Sequence, residues 1–128
     1  MSPDLKPGLE GEFTYVVEDY MAAGHLGIKV LSTPSMIALM EISCHRTVEP
    51  HLEEGLTTVG TYVCVHHRAP APVGSEVRVR TKLVSVEGRK LVFRVEALWG
   101  ERLIGDGEHH RFVVDEGRLA SKLKEESG

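Results

Sequence analysis

The sequence predicts an α+β domain in which an antiparallel β-sheet wraps around one central α-helix. Three observations lead there. One compact apolar stretch, residues 36–44, opens behind Thr33-Pro34 and closes before Pro50. Four long runs rich in Val, Thr, Leu and Phe follow it. Turn residues separate those runs where hairpins need them. At 128 residues the chain makes one domain with a real core and is too short for two.

Residues 1–10 read as a loose lead-in, after which residues 12–17 have the β-branched and aromatic content of a strand. Residues 19–32 hold Gly24 and Gly27 with little periodicity, as a short helix and a connecting loop would. Thr33 before Pro34 is a helix-start signal, because proline is tolerated in the first turn and a hydroxyl beside it can cap free backbone donors. A helix of about four turns follows, and its first half is apolar nearly all round, so burial on most sides is expected. Residues 57–67, 76–86, 90–99 and 102–114 are the strands. Val77, Val79, Thr81 and Leu83 alternate with Arg78, Arg80 and Lys82, which marks one buried and one wet face. Residues 70–74, Glu87-Gly88 and Gly100 mark the turns, and the charged tail from Gly117 is expected to fray. A single sheet of this kind leaves edge strands unpaired, so a homodimer is expected, with a dimer of dimers as an extension.

Composition narrows the function classes. The formal net charge is -4 and no block of basic residues is present, which disfavours nucleic acid as a partner. The N-terminal residues form no apolar signal core and no stretch is long enough to span a bilayer, so a cytoplasmic protein without membrane association is expected. Cys44 and Cys64 sit in apolar runs without CxxC spacing, so no disulfide is expected. His109 and His110 are adjacent on a strand and point apart, and no further ligand spacing accompanies them, so no metal is expected.

Glu41 is the informative residue. It lies inside Met36-Ile37-Ala38-Leu39-Met40-Glu41-Ile42, and an unpaired buried carboxylate costs several kcal/mol or gives up its charge. A chain that keeps one there supplies either a structural partner or a task. The strand run from Gly60 to His67 ends in two histidines and offers that partner. Alternation places His66 and His67 on opposite faces, so only one of them meets a pocket.

Four segments carry a family resemblance: Leu39-Met40-Glu41 with Cys44; Gly60-Thr61 through Cys64-Val65 to His67; Ser85-Val86-Glu87-Gly88-Arg89; and Ile104-Gly105 with Gly107 and His109. Together they span residues 31–114, and their order and spacing resemble the hot-dog fold thioesterases, most closely the fluoroacetyl-CoA thioesterase group. The resemblance implies the hot-dog fold and hydrolysis of a short or modest acyl-CoA to free acid and coenzyme A. It places the catalytic threonine, glutamate and histidine on Thr33, Glu41 and His67, and the glycine that helps hold the thioester carbonyl on Gly60. Coenzyme A enters as part of the substrate and no separate cofactor is implied. The fluoroacetyl-specific enzymes carry a longer, phenylalanine-bearing lid ahead of the threonine, whereas residues 23–31 here contain no aromatic residue. Fluoroacetate selectivity therefore does not carry over with the fold.

Each residue also has a plainer explanation. Glu41 acts as nucleophile or as base to a water, or is held by structural partners. Thr33 either contacts Glu41 or only caps the helix; with a helix starting at Thr33, eight residues of rise put the two ~12 Å apart. Gly60 either brings a backbone N–H to an oxyanion or simply relieves packing. Arg68, Arg89 and Lys90 are expected to meet the coenzyme A phosphates, or form an ordinary solvated face. Two rival functions fit the same fold: a non-catalytic acyl-CoA or small-ligand binding module, and a hydratase-type enzyme.

Overall fold

The structure, a computed structural model, describes residues 4–25 and 27–127. Residues 1–3 of the expected lead-in, Leu26 of the expected loop and Gly128 of the tail lie outside the described residues. The elements are β1 (Glu10–Val16), a 3-10 turn (Asp19–Met21), α1 (Thr33–Val48), a second 3-10 turn (Glu49–His51), β2 (Leu56–His67), β3 (Glu76–Glu87), β4 (Lys90–Trp99), β5 (Arg102–Asp115) and α2 (Glu116–Ser127). The five strands form one sheet in the order β1-β3-β4-β5-β2, and every neighbouring pair is antiparallel. α1 lies against one face of that sheet, as the sequence predicts.

Ser32, not Thr33, caps α1: its hydroxyl accepts from the Ser35 N–H at 3.2 Å, with Pro34 in the first turn. That leaves the Thr33 hydroxyl free for other use. The buried residues Met36, Leu39, Met40, Ser43, Cys44, Thr47 and Val48 recur at three- and four-residue steps and form one stripe. Burial on most sides does not follow, because the sheet covers only one side of the helix. Ile42 is 49 % exposed and Ala38 is exposed.

The polar members of the stripe are satisfied. The Ser43 hydroxyl donates to the Leu39 carbonyl at 2.7 Å and accepts from the Tyr15 hydroxyl at 2.8 Å. The Thr47 hydroxyl donates to the Ser43 carbonyl at 2.8 Å and accepts from the Thr81 hydroxyl at 2.5 Å. Facing α1, the sheet contributes Val77, Val79, Leu83, Leu91, Phe93, Val95, Ala97, Ile104 and Val113, all at most 1 % exposed. Each large apolar side chain so buried stabilises the fold by about 1.5–3 kcal/mol. The outer face carries Arg78, Arg80 and Glu12 in exposed ion pairs at 3.7 Å, which contribute little.

Two terminal expectations are corrected. Residues 5–9 are not loose: Leu5 is buried, and Gly8 and Leu9 exchange backbone hydrogen bonds with Leu83. The tail does not fray from Gly117 but forms α2, whose Ala, Leu, Lys and Glu content favours helix and whose start is tied by Asp115 accepting from the Arg118 N–H at 3.0 Å. Cys44 and Cys64 are both free; Cys44 packs in the core while Cys64 is exposed rather than packed.

β2 positions the site. It is an edge strand, bonded to β5 on one side only, and residues 60–64 are exposed. Its register with β5 slips between Gly60, which faces Arg111, and Tyr62, which faces His110, so Thr61 is an extra residue. The bulge reverses the alternation. Thr58 and Gly60 before it share the helix-facing side with Val63, Val65 and His67 after it.

On β5, Gly107 lies directly beneath β2. A Cβ there would fall on the Cys64 carbonyl oxygen and 2.6 Å from the Val65 Cα, both backbone atoms that cannot move without breaking the ladder. Gly107→Ala is expected to lower unfolding free energy by about 2–3 kcal/mol, read from urea denaturation.

Candidate active site

Thr33 and His67 meet at the N-terminal end of α1. The Thr33 hydroxyl lies 2.8 Å from the His67 Nδ1. The other ring nitrogen, Nε2, is buried with no hydrogen-bond partner among the described residues, which is unusual for a polar atom and leaves it free to exchange a proton with a bound molecule. Beside the pair opens a cavity of about 640 Å³ lined by Val30, Leu31, Pro34, Ala69 and Pro70, among others. His66 points to the opposite, exposed face.

Glu41 sits two turns further along α1 with its side chain 39 % exposed, so it is half-buried rather than sealed in the core. Its Oε1 lies 3.9 Å from the Arg111 Nη1 and 4.0 Å from the His109 Nε2. Gly60 makes room for it. A Cβ on Gly60 would stand 2.5 Å from the Glu41 Oε1 and 3.3 Å from both the Arg111 Nη1 and the His109 Cε1. A smaller cavity of about 360 Å³, lined by Ala38, Ile42, His45, Thr57 and Thr58 with Glu41 and Arg111, opens here.

Arg111 is only 8 % exposed and nearly fully engaged. Its Nε donates to the Thr58 hydroxyl at 2.8 Å, its Nη2 to the Thr58 carbonyl at 3.0 Å and its Nη1 to the His109 Nε2 at 3.1 Å. A guanidinium has only donors, so the His109 Nε2 must accept. The His109 Nδ1 then carries the proton and donates to the Tyr62 carbonyl at 2.8 Å, beside the bulge. Burial holds His109 below the usual 6.5, and Arg111 adds to that, against the opposing pull of the Tyr62 carbonyl and Glu41. His45, whose Nδ1 lies 2.6 Å from the Thr58 hydroxyl, is likewise lowered by burial and then by Arg111. Burial also pushes the Cys44 thiol up to about 12, which removes it as a nucleophile.

The residues expected from sequence thus fall into two groups. Thr33 stands with His67, and Glu41 with Gly60. Eight residues of helix rise separate the groups by ~12 Å along α1, and Thr33 contacts His67, not Glu41. The expected partnership of Glu41 with the histidine end of β2 does not form within one chain; the sheet puts Arg111 and His109 of β5 beside Glu41 instead. Arg68 follows His67, and its Nε bonds the Asp106 carboxylate at 2.8 Å. Arg89 is exposed in the β3–β4 turn. The sequence does not single out Arg111, Thr58 or His45, and it offers His109 only within a family segment and as one of two adjacent histidines unsuited to a metal. Their trace was present: Gly105, Gly107, His109, Arg111 and Val113 share alternate positions of β5, where polar residues on an inward face need an explanation.

Residues 15–117 match the family model described as fluoroacetyl-CoA-specific thioesterase. The chain belongs to that family. It is 40 % identical over 99 residues to the fluoroacetyl-CoA thioesterase of Streptantibioticus cattleyicolor, covering 77 % of this chain and 71 % of that one. A solved structure of the fluoroacetyl-CoA thioesterase FlK superposes with a TM-score of 0.87 at 35 % identity, over 94 % of this chain and 96 % of the other. A Thermus thermophilus thioesterase-superfamily member superposes with a TM-score of 0.89 at 29 % identity, over 99 % and 96 %. The hot-dog fold is thereby established.

Because both His45 and His109 are lowered below 6.5 in the fold, the unfolded chain binds more protons as pH falls through that value. The stability they contribute is complete above 6.5 and is lost as pH drops from there toward their folded values. Urea unfolding between pH 7.5 and 5 is expected to show falling stability, with a shallower slope in His109→Gln.

Proposed function

We propose that the protein is an acyl-CoA thioesterase acting as a homodimer, in which each site takes Thr33 and His67 from one subunit and Glu41 and Gly60 from the other. One observation carries this: the two half-sites lie at opposite ends of the open stretch of β2. Antiparallel pairing of β2 with its copy, about a two-fold axis through Cys64, sets Val63 opposite Val65 and, across the extra residue Thr61, Gly60 of one chain opposite His67 of the other. Such an isologous contact closes both edges at once and produces two identical sites. It also covers Ala38 and Ile42, the helix face that one chain leaves bare.

In such a site Glu41 either attacks the thioester carbon, expelling the thiolate and forming an anhydride that water then opens to free the acid, or takes a proton from water that attacks the carbon directly. The Gly60 N–H supports the oxyanion as the carbonyl opens. Thr33 orients His67, whose unpartnered Nε2 gives the departing thiolate its proton, so that free acid and coenzyme A leave. Arg68 and Arg89 are the basic groups for the coenzyme A phosphates. A solved complex of an FlK mutant with fluoroacetate and CoA, 35 % identical with a TM-score of 0.84, supports an acyl-CoA substrate. Among the described residues no helix is long and apolar enough to cross a membrane, and a cytoplasmic enzyme using a soluble substrate agrees with that. With no aromatic residue in residues 23–31, short or modest acyl groups beyond fluoroacetyl are the substrate class.

Free-thiol release from a panel of acyl-CoAs is the test. Glu41→Gln and His67→Ala are each expected to lower kcat by roughly 10²-fold or more while folding normally. Refolding the two variants together is expected to restore about a quarter of wild-type activity, since half the dimers are mixed and each mixed dimer holds one intact site. No restoration places both halves in one chain. Binding without thiol release points to the ligand module, and water addition with the thioester intact points to the hydratase. Gly60→Ala presses hardest on the movable tip of Glu41 and more lightly on the Arg111 Nη1 and the His109 Cε1, so kcat is expected to fall more than tenfold with only a small drop in melting temperature.

A further inference from the structure

The thioesterase reading explains Thr33, Glu41, Gly60 and His67 but leaves a costly group unused. A buried guanidinium is expensive to desolvate, and Arg111 is tied down beyond what an ion pair with Glu41 requires. Three of its five N–H donors are committed to Thr58 and His109. Two of the tethers end on β2 backbone: the Thr58 carbonyl directly, and the Tyr62 carbonyl through the His109 ring. Those carbonyls stand on either side of Gly60 and the bulge.

We propose that Thr58 and His109 are positioning residues which, through Arg111, clamp the bulged strand around Gly60 and hold the Glu41 carboxylate in register with it. This rests on the proposed function, because it assigns the clamp to the same site. Three tethers fix the guanidinium plane, and the Nη1 so held is the one 3.9 Å from the Glu41 Oε1. The His109 ring works only as the Nδ1–H form: the Tyr62 carbonyl can only accept, and the Arg111 Nη1 can only donate. Thr58 is the second anchor. Its hydroxyl accepts from the Arg111 Nε and keeps a proton that can go to the His45 Nδ1, 2.6 Å away, so donors and acceptors match along the chain His45-Thr58-Arg111-His109. A single assembly thereby sets both the carboxylate and the backbone N–H that the reaction needs, groups contributed by α1 and β2 and braced by Arg111 and His109 of β5.

The test compares paired substitutions. Thr58→Val removes the hydroxyl at nearly constant shape and Thr58→Ser restores it; His109→Leu removes the acceptor for Arg111 and His109→Gln replaces it with an amide oxygen. Thr58→Val and His109→Leu are expected to lower kcat about tenfold or more with KM changed less than about twofold, and the Ser and Gln variants to recover most of kcat. Equal behaviour within each pair, or an effect confined to KM, overturns the proposal. Two further readouts need no turnover. Imidazole nitrogen NMR of the native protein is expected to show His109 protonated on Nδ1 and bare on Nε2, and the reverse tautomer overturns the clamp. The Glu41 carboxyl carbon resonance is expected to move in Thr58→Val and not in Thr58→Ser. A wild-type protein that releases no thiol sinks the thioesterase reading, while these two signals still decide the clamp.

Discussion

A single extra residue in β2 governs how the rest of this protein is arranged. Without the bulge at Thr61, strict alternation would send Gly60 and His67, seven residues apart, to opposite faces of the sheet. With it, both face α1, and the strand presents one end of its inner side to Glu41 and the other to Thr33. Beside the irregularity, the Tyr62 carbonyl accepts from the His109 ring.

The buried charge near that bulge is held by geometry rather than by strong pairing. At 3.9 Å the Glu41–Arg111 contact is an ion pair without a tight hydrogen bond, and such pairs seldom repay the desolvation of both partners. The guanidinium is stabilised mainly by its bonds to Thr58 and His109, with the Glu41 carboxylate left half-exposed at the cavity. A carboxylate held near a fixed cation but not consumed by it remains available to a substrate.

The packing residues and the candidate site residues are different residues of the same elements. On α1, Met36, Leu39, Met40, Cys44 and Val48 anchor the helix to the sheet, while Thr33 and Glu41 look away from that stripe. On β5, Ile104 and Val113 belong to the core while His109 and Arg111 share its inner face with polar neighbours. Membership of the fluoroacetyl-CoA-specific thioesterase family fits this division, since the scaffold leaves room for chemistry where α1 and β2 diverge from the core.

The sequence by itself determined the architecture, because one apolar helix and four alternating strands allow few other ways to bury their faces. The family was also legible, since residue types and spacing over residues 31–114 carry the resemblance that points to Thr33, Glu41, Gly60 and His67. What α1 and β2 do with those residues was not. A bulge shifts face assignment without altering composition, so the common side of Gly60 and His67 appears only in the β2–β5 register. The N-cap fell to Ser32, freeing Thr33 for His67, because backbone geometry and not residue type selects the capping position. The exposed tail became α2 once Asp115 ended β5 in place to cap it. Arg111 and His109 reached Glu41 from a strand distant in the chain, and only the fold brings such residues to one carboxylate.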